Sequence, residues 1–162
     1  MGDLGGEQRD SMNPLLGRFP GLSTGNHRIA SAATPSYNCV AWAAAEDNRW
    51  WWPDPMEVSY WPPGIERTES IEAFIAAFSL LGYTRCEGSQ QEAAFEKIAL
   101  YLVDGRPTHM ARQLKSGRWT SKLGSSIDME HGLMDLAGNE YGSIVVIMRR
   151  SAVNVSSKTT GT

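Results

Sequence analysis

The chain is poor in several things that would have fixed its class at once. It has two cysteines, Cys39 and Cys86, and neither sits in a CxxC pair, so a disulfide framework is excluded and two free thiols in a reducing compartment are expected. No apolar run approaches the roughly 20 residues that span a bilayer. Residues 1–10 also lack the basic start and apolar centre of a signal peptide. The expectation is therefore a soluble, cytoplasmic protein with no membrane partner, secretion by a route without a cleaved signal being left open. The net charge is −3, and no block of Lys or Arg stands out, which argues against nucleic acid as a partner. There is no G-x-S-x-G elbow and no glycine-rich phosphate loop, so serine-elbow hydrolysis and nucleotide chemistry have no support. Cys39, His109 and His131 are residue types that suit zinc, but none shows paired spacing such as HxxxH. No metal and no cofactor are expected.

What the chain does have is tryptophan, six in all, with Trp50, Trp51 and Trp52 consecutive. With 162 residues and 41% hydrophobic content it is long enough for one well-packed domain and short for two. Residues 1–12 are glycine-rich and charged and read as a disordered arm; 13–150 read as one domain; 151–162 lose apolar residues and read as a tail.

The stretch 37–45 holds the first chemistry. Cys39 opens an alanine-rich run with good helix propensity, preceded by Thr34, Pro35 and Ser36, which favour turns and helix starts. A thiol at a helix N-terminus meets unpaired amide N–H groups that favour the thiolate and could hold an oxyanion. A helix over 37–47 is expected, with Val40, Ala43, Ala44 and Trp42 facing a sheet. The bland alternative is that Cys39 fills core space, as buried cysteines commonly do. The segment 49–64 carries four tryptophans and four prolines and reads as an aromatic loop, either covering the core or walling a cleft.

Thr68 or Ser70 then caps an amphipathic helix with Ile71, Phe74, Ile75 and Phe78 on one face and Gly82 at its end. Residues 83–86 read as a short strand that places Cys86 near an edge. Alternation in 95–103, a turn at Asp104-Gly105, a strand at 108–114, a three-residue loop ending in Gly117 and a strand at 118–123 make an antiparallel meander. Residues 127–136 read as a short helix or capped turn, and 141–148 as a last strand. Helices first and sheet afterwards predict an α+β fold, with N-terminal helices packed on a C-terminal antiparallel sheet.

His109 is the leading base for Cys39, because alternation puts it with Ala111 and Gln113 on one face, beside a small residue where a helix could dock. The parity of the hairpin then puts Ser121 on the same face, whereas a two-residue loop would put Lys122 there. For an orienting third residue Ser121, Asp128 and His131 all stay open. His27 is one loop histidine without a partner at metal spacing. Asn38, Trp42, Trp50, Trp51, Trp52, Trp61 and Gln113 are the residues expected to contact a substrate.

The strings Tyr37-Asn38-Cys39-Val40-Ala41-Trp42, Tyr60-Trp61-Pro62-Pro63-Gly64, Thr108-His109-Met110-Ala111-Arg112-Gln113-Leu114, Trp119-Thr120-Ser121-Lys122-Leu123-Gly124 and Ile127-Asp128-Met129-Glu130-His131 together resemble a small uncharacterised bacterial domain family. That likeness covers about residues 14–150 and implies no activity. More remotely, a helix-borne cysteine followed by an antiparallel sheet that presents a histidine resembles the papain-like superfamily, including NlpC/P60 and amidase-type enzymes. This second likeness implies a papain-like fold and a thiol hydrolase or acyl-transfer enzyme acting on an amide bond of a peptide or protein. Cys39 would be the nucleophile and His109 the base. The glutamine that precedes the cysteine in papain is lacking, so Asn38 or backbone amides would serve the oxyanion. The rival expectation is a non-catalytic interaction module of immunity or adaptor type, in which the tryptophans form a docking surface.

Overall fold

The computed structural model describes residues 18–22 and 25–152. The arm expected over 1–12 and the tail expected beyond Ala152 lie outside these residues. The element order is β1 (Arg28–Ser31), α1 (Cys39–Ala43), α2 (Ile71–Ser79), β2 (Thr84–Cys86), β3 (Phe95–Val103), β4 (Arg106–Gln113), β5 (Trp119–Lys122), β6 (Asp128–His131), a 3-10 turn (Leu133–Leu136) and β7 (Ser143–Ser151). The strands form one seven-stranded sheet in the order β1-β6-β5-β4-β3-β7-β2, and every neighbouring pair is antiparallel. This overturns the expected α+β, papain-like architecture. The fold is β-rich, and α1 and α2, at five and nine residues, are minor additions.

The two helical expectations fared differently for local reasons. For α2 the signals agree: the Ser70 side chain accepts from the Ala73 amide at 3.2 Å, Glu72 sits in the first turn, and Ala73, Phe74, Ala77 and Phe78 are buried. Such a cap is worth about 1 kcal/mol. Gly82 follows at φ +94°, a conformation that favours glycine. The Cys39 helix is shorter than expected. Its cap is Asn38, whose Oδ1 accepts from the Ala41 amide at 3.2 Å, and Ala45 turns left-handed at φ 63°. Alanine propensity alone does not carry this five-residue helix on to residue 47.

The sheet is buried on both faces, which is why β3 has apolar residues in both registers. Ile98 and Leu100 pack with Met110, Val146 and Met148 against α1, α2 and the tryptophan-rich segment. On the opposite face Ala99 and Tyr101 pack with Ala111, Trp119, Met129, Leu136, Tyr141 and Phe19. Each fully buried large side chain contributes about 1.5–3 kcal/mol. The three-residue hairpin is as expected: the Leu114 amide donates to Arg118 O at 2.7 Å, Gly117 has φ +93°, and Ser121 pairs with Met129 on the face of Trp119. Cys86 lies in the edge strand β2.

Residues 127–136 keep the expected short helix only at Leu133–Leu136, a 3-10 turn in which the Asp135 carboxylate accepts from the Gly132 amide. Residues 128–131 form β6, bonded to β5 on one side and β1 on the other. Three of its four positions are buried and two of those, Asp128 and His131, are polar, so the apolar alternation that marks a strand is missing there.

Candidate active site

The thiol and the leading imidazole come from different faces of the sheet. α1 docks on β4 through the face of Met110, where Cys39, Val40, Ala41 and Met110 share one core. His109 points the other way. It is stacked on Tyr141 with ring centroids 4.0 Å apart and planes 4° from parallel, and Tyr101 meets it edge-on at 5.1 Å. The expected docking of the helix on the His109–Ala111–Gln113 face is therefore corrected. Strand alternation puts neighbouring residues on opposite faces, and the helix takes the Met110 side.

Cys39 and His109 nevertheless line one cavity of about 310 Å³. The reason lies in the ladder. β4 and β5 are paired only at Arg112–Thr120 and Gln113–Trp119, so the first part of β4 has no β5 partner and the sheet parts beside Met110 and His109. Asn38 and Cys39 border the opening from α1, Trp50 and Trp52 from the tryptophan-rich segment, Thr108 and His109 from β4, and Gly124 and Tyr141 from turns. Thr108 is held by its hydroxyl, which donates to Tyr141 O at 2.6 Å.

Cys39 and His109 are both neutral at rest. Burial pushes the Cys39 thiol up to about 11, against the opposing pull of the amides of Met110, Val40 and Cys39 itself and of the Lys122 charge. The expected lowering of this thiol at a helix start is thus reversed, because desolvation outweighs the amides. Burial, with a smaller contribution from His131, also holds the His109 imidazole well below its ordinary value. Among the described residues neither ring nitrogen of His109 has a hydrogen-bond partner. A buried polar atom without a partner costs about 1–3 kcal/mol, so this imidazole is held at a price in stability.

The three residues considered for orienting His109 are engaged elsewhere. Ser121 Oγ lies 2.7 Å from His131 Nε2, and His131 Nδ1 lies 2.7 Å from Gly132 O. A carbonyl only accepts, so Nδ1 carries the proton and Nε2 accepts from the serine hydroxyl. Asp128 accepts from Tyr37 Oη at 2.8 Å and from Ser31 Oγ at 2.5 Å. None of the three hydrogen-bonds to His109.

The expected contact residues divide. Trp50 and Trp52 line the cavity. Trp51 and Trp61 are core, the first edge-on to Tyr60 at 4.7 Å and the second 5.0 Å from Phe74. Trp42 donates Nε1 to Thr120 Oγ1 at 3.0 Å and lies under the Arg112 guanidinium. Gln113 donates to Ser89 O at 2.8 Å and braces a loop. Asn38 borders the cavity, but its amide is spent on Trp51: Nδ2 donates to Trp51 O at 2.7 Å and Oδ1 accepts from Trp51 N at 3.1 Å. It pins the tryptophan-rich segment to α1 and has little left for an oxyanion.

Three features escaped the sequence reading. Tyr141, which stacks on His109, reads in the sequence only as the start of the last strand, and lies before β7 begins at Ser143. Thr108 and Gly124 carry no signal of their own. The third is the buried ammonium of Lys122, whose Nζ donates to Thr34 O at 2.7 Å and Gly124 O at 2.5 Å and lies 4.9 Å from the Tyr37 ring centroid. Among the described residues no group of three or more His, Cys, Asp or Glu could hold a metal ion, so Cys39, His109 and His131 do not form a zinc site. No helix of the described residues is long and apolar enough to cross a membrane.

Fold and site together define a β-rich domain with a thiol and an unpartnered imidazole at one cavity. The chain belongs to the family of the domain of unknown function DUF7689, whose model matches residues 28–149. No curated protein and no solved structure matches it.

Proposed function

We propose that the protein is a cysteine-dependent hydrolase or acyl-transfer enzyme acting on an amide bond, with Cys39 as nucleophile and His109 as base. The observation that carries this reading is the cavity that Cys39 and His109 both line, beside two buried ring nitrogens of that histidine that no described residue satisfies. Buried polar atoms are almost always paired, and an exception beside a thiol is where a reacting group would fit. The reading rests on that chemistry and takes nothing from papain-like architecture. A peptide or protein substrate acted on in the cytoplasm, where both free thiols stay reduced, belongs to the same proposal.

Because thiol and imidazole are both neutral at rest, the proton would leave sulfur as the sulfur attacks. His109 accepts it and returns it to the leaving nitrogen. The amides of Met110, Val40 and Cys39 are the donors nearest the sulfur. The test is alkylation by limiting iodoacetamide over a pH series, read by mass spectrometry with Cys86 as internal reference. His109→Phe is expected to slow Cys39 by about a hundredfold, within the usual range for a general base, and to leave Cys86 unchanged. Equal Cys39 rates in the two folded proteins would defeat the proposal.

A second reading, the interaction module, is favoured by one observation: Met56 and Val58, at the tip of the tryptophan-rich segment, are 83% and 85% exposed. That tip would form the docking surface, in place of the tryptophans. Loss of a cellular phenotype in folded Cys39→Ser would exclude it, and loss in Met56→Ser/Val58→Ser alone would favour it.

A further inference from the structure

We infer that the cavity accepts a neutral carboxamide, of the kind carried by glutamine and asparagine side chains, and rejects carboxylates. This rests on the thiol-hydrolase reading above and narrows it to a substrate class. Among the described residues that line the cavity none is Asp, Glu, Lys or Arg, and the walls are largely aromatic, from Trp50, Trp52 and Tyr141. An ionised group entering would lose its hydration and meet no counter-charge, a far larger penalty than that for a neutral polar group.

The nearby buried cation does not change this. Lys122 directs two donors at the carbonyls of Thr34 and Gly124, lies over Tyr37, and pairs in the ladder with Asp128, which supplies an opposing negative charge. The Lys122 charge reaches the thiol, but the residue does not line the cavity and its donors are engaged by those carbonyls.

His109 supplies the positive half of the argument. A neutral imidazole has one N–H donor and one bare acceptor nitrogen, and in this site both lack partners. The two nitrogens point to different sides of the ring, so one carboxamide meets one of them, and with an accepting oxygen and a donating NH₂ it suits either the N–H or the bare nitrogen, the other being left to the thiol. A carboxylate offers acceptors only, so it could meet the N–H but never the bare nitrogen. The volume, about 310 Å³, lies at the bottom of the range of about 300–1,000 Å³ for small-molecule sites and suits one side chain.

The step balances without a further reactant beyond water. The Cys39 S–H bond gives its proton to His109 as sulfur adds to the carboxamide carbon. The C–N bond breaks, nitrogen takes the proton back and leaves as ammonia, and water hydrolyses the thioester to release a carboxylic acid and restore the thiol. The product ionises and is then disfavoured by the same uncharged walls that admitted the substrate.

Two reagents that differ only in this group give the test. Iodoacetamide is a carboxamide and iodoacetate a carboxylate, with the same reacting carbon. The native protein is treated with each, and the ratio of rates at Cys39 is compared with the ratios at glutathione and at Cys86. The amide-to-acetate preference at Cys39 is expected to exceed that of glutathione by about tenfold or more, since the charge has no partner in the cavity. A Cys39 that reacts with both but shows the glutathione ratio or a smaller one overturns the carboxamide inference and leaves the thiol-hydrolase reading standing. A Cys39 that reacts with neither reagent in the native protein, but with both after denaturation, overturns the hydrolase reading and this inference with it.

Discussion

Two histidines, buried on the same face of the sheet, differ in how the fold meets their ring nitrogens. His131 has both ring nitrogens engaged, one by Ser121 and one by the Gly132 carbonyl. Among the described residues His109 has neither engaged, and it borders the cavity that Cys39 shares. Burial lowers the pKa of both, so protonation behaviour alone does not tell them apart. Partners do: the first imidazole is part of the β5–β6 cross-strand packing, whereas the second has bonding capacity that no described residue uses.

The largest test of the shared property is acid. Burial lowers His131 to about 4 from an ordinary 6.5, so between these values the unfolded chain binds the proton that the folded chain refuses. Stability from this group is full above about pH 6.5 and is lost as pH falls towards 4. The loss is about 3 kcal/mol for a shift of that size. His109, lowered in the same direction, adds to it. Denaturant midpoints from pH 7 to 4 should fall accordingly, and His131→Phe should flatten the curve; a wild-type midpoint flat over this window would refute the burial of both rings as neutral groups.

At neutral pH the two histidines should part. His131→Phe strands the Ser121 hydroxyl in the interior and should cost about 2 kcal/mol in urea unfolding. Ser121→Ala removes the donor to His131 Nε2 and should cost about 1 kcal/mol. His109→Phe removes two unsatisfied atoms while keeping the stack on Tyr141, so it should stabilise the fold, by about 1–3 kcal/mol. A His109→Phe loss as large as that of His131→Phe would erase the distinction.

The sequence was most readable where local rules act alone. Ser70, Phe74, Phe78 and Gly82 delimit a helix because cap, period and stop all lie within it. Gly117 at the third loop position set the β4–β5 parity, and with it the side on which Ser121 lies. Reading failed where the answer depended on what packs against what. Alternation separates His109 from Met110, but only tertiary packing decides that α1 takes the Met110 side. The β6 strand hid behind Asp128 and His131, whose burial is offset by partners distant in sequence, Tyr37 and Ser121 among them. The tryptophans could not be sorted either: Trp51 is core and Trp50 and Trp52 border the cavity, although the three are consecutive.

Pairing of Cys39 with His109 across the parted sheet is the central claim, and a crystal structure of the protein carbamidomethylated at Cys39 tests it most directly. The carboxamide left on sulfur should lie within about 3 Å of a His109 ring nitrogen, giving that imidazole its first partner. An adduct that turns towards solvent or the α1 core, with both His109 nitrogens still unpartnered, would contradict the account.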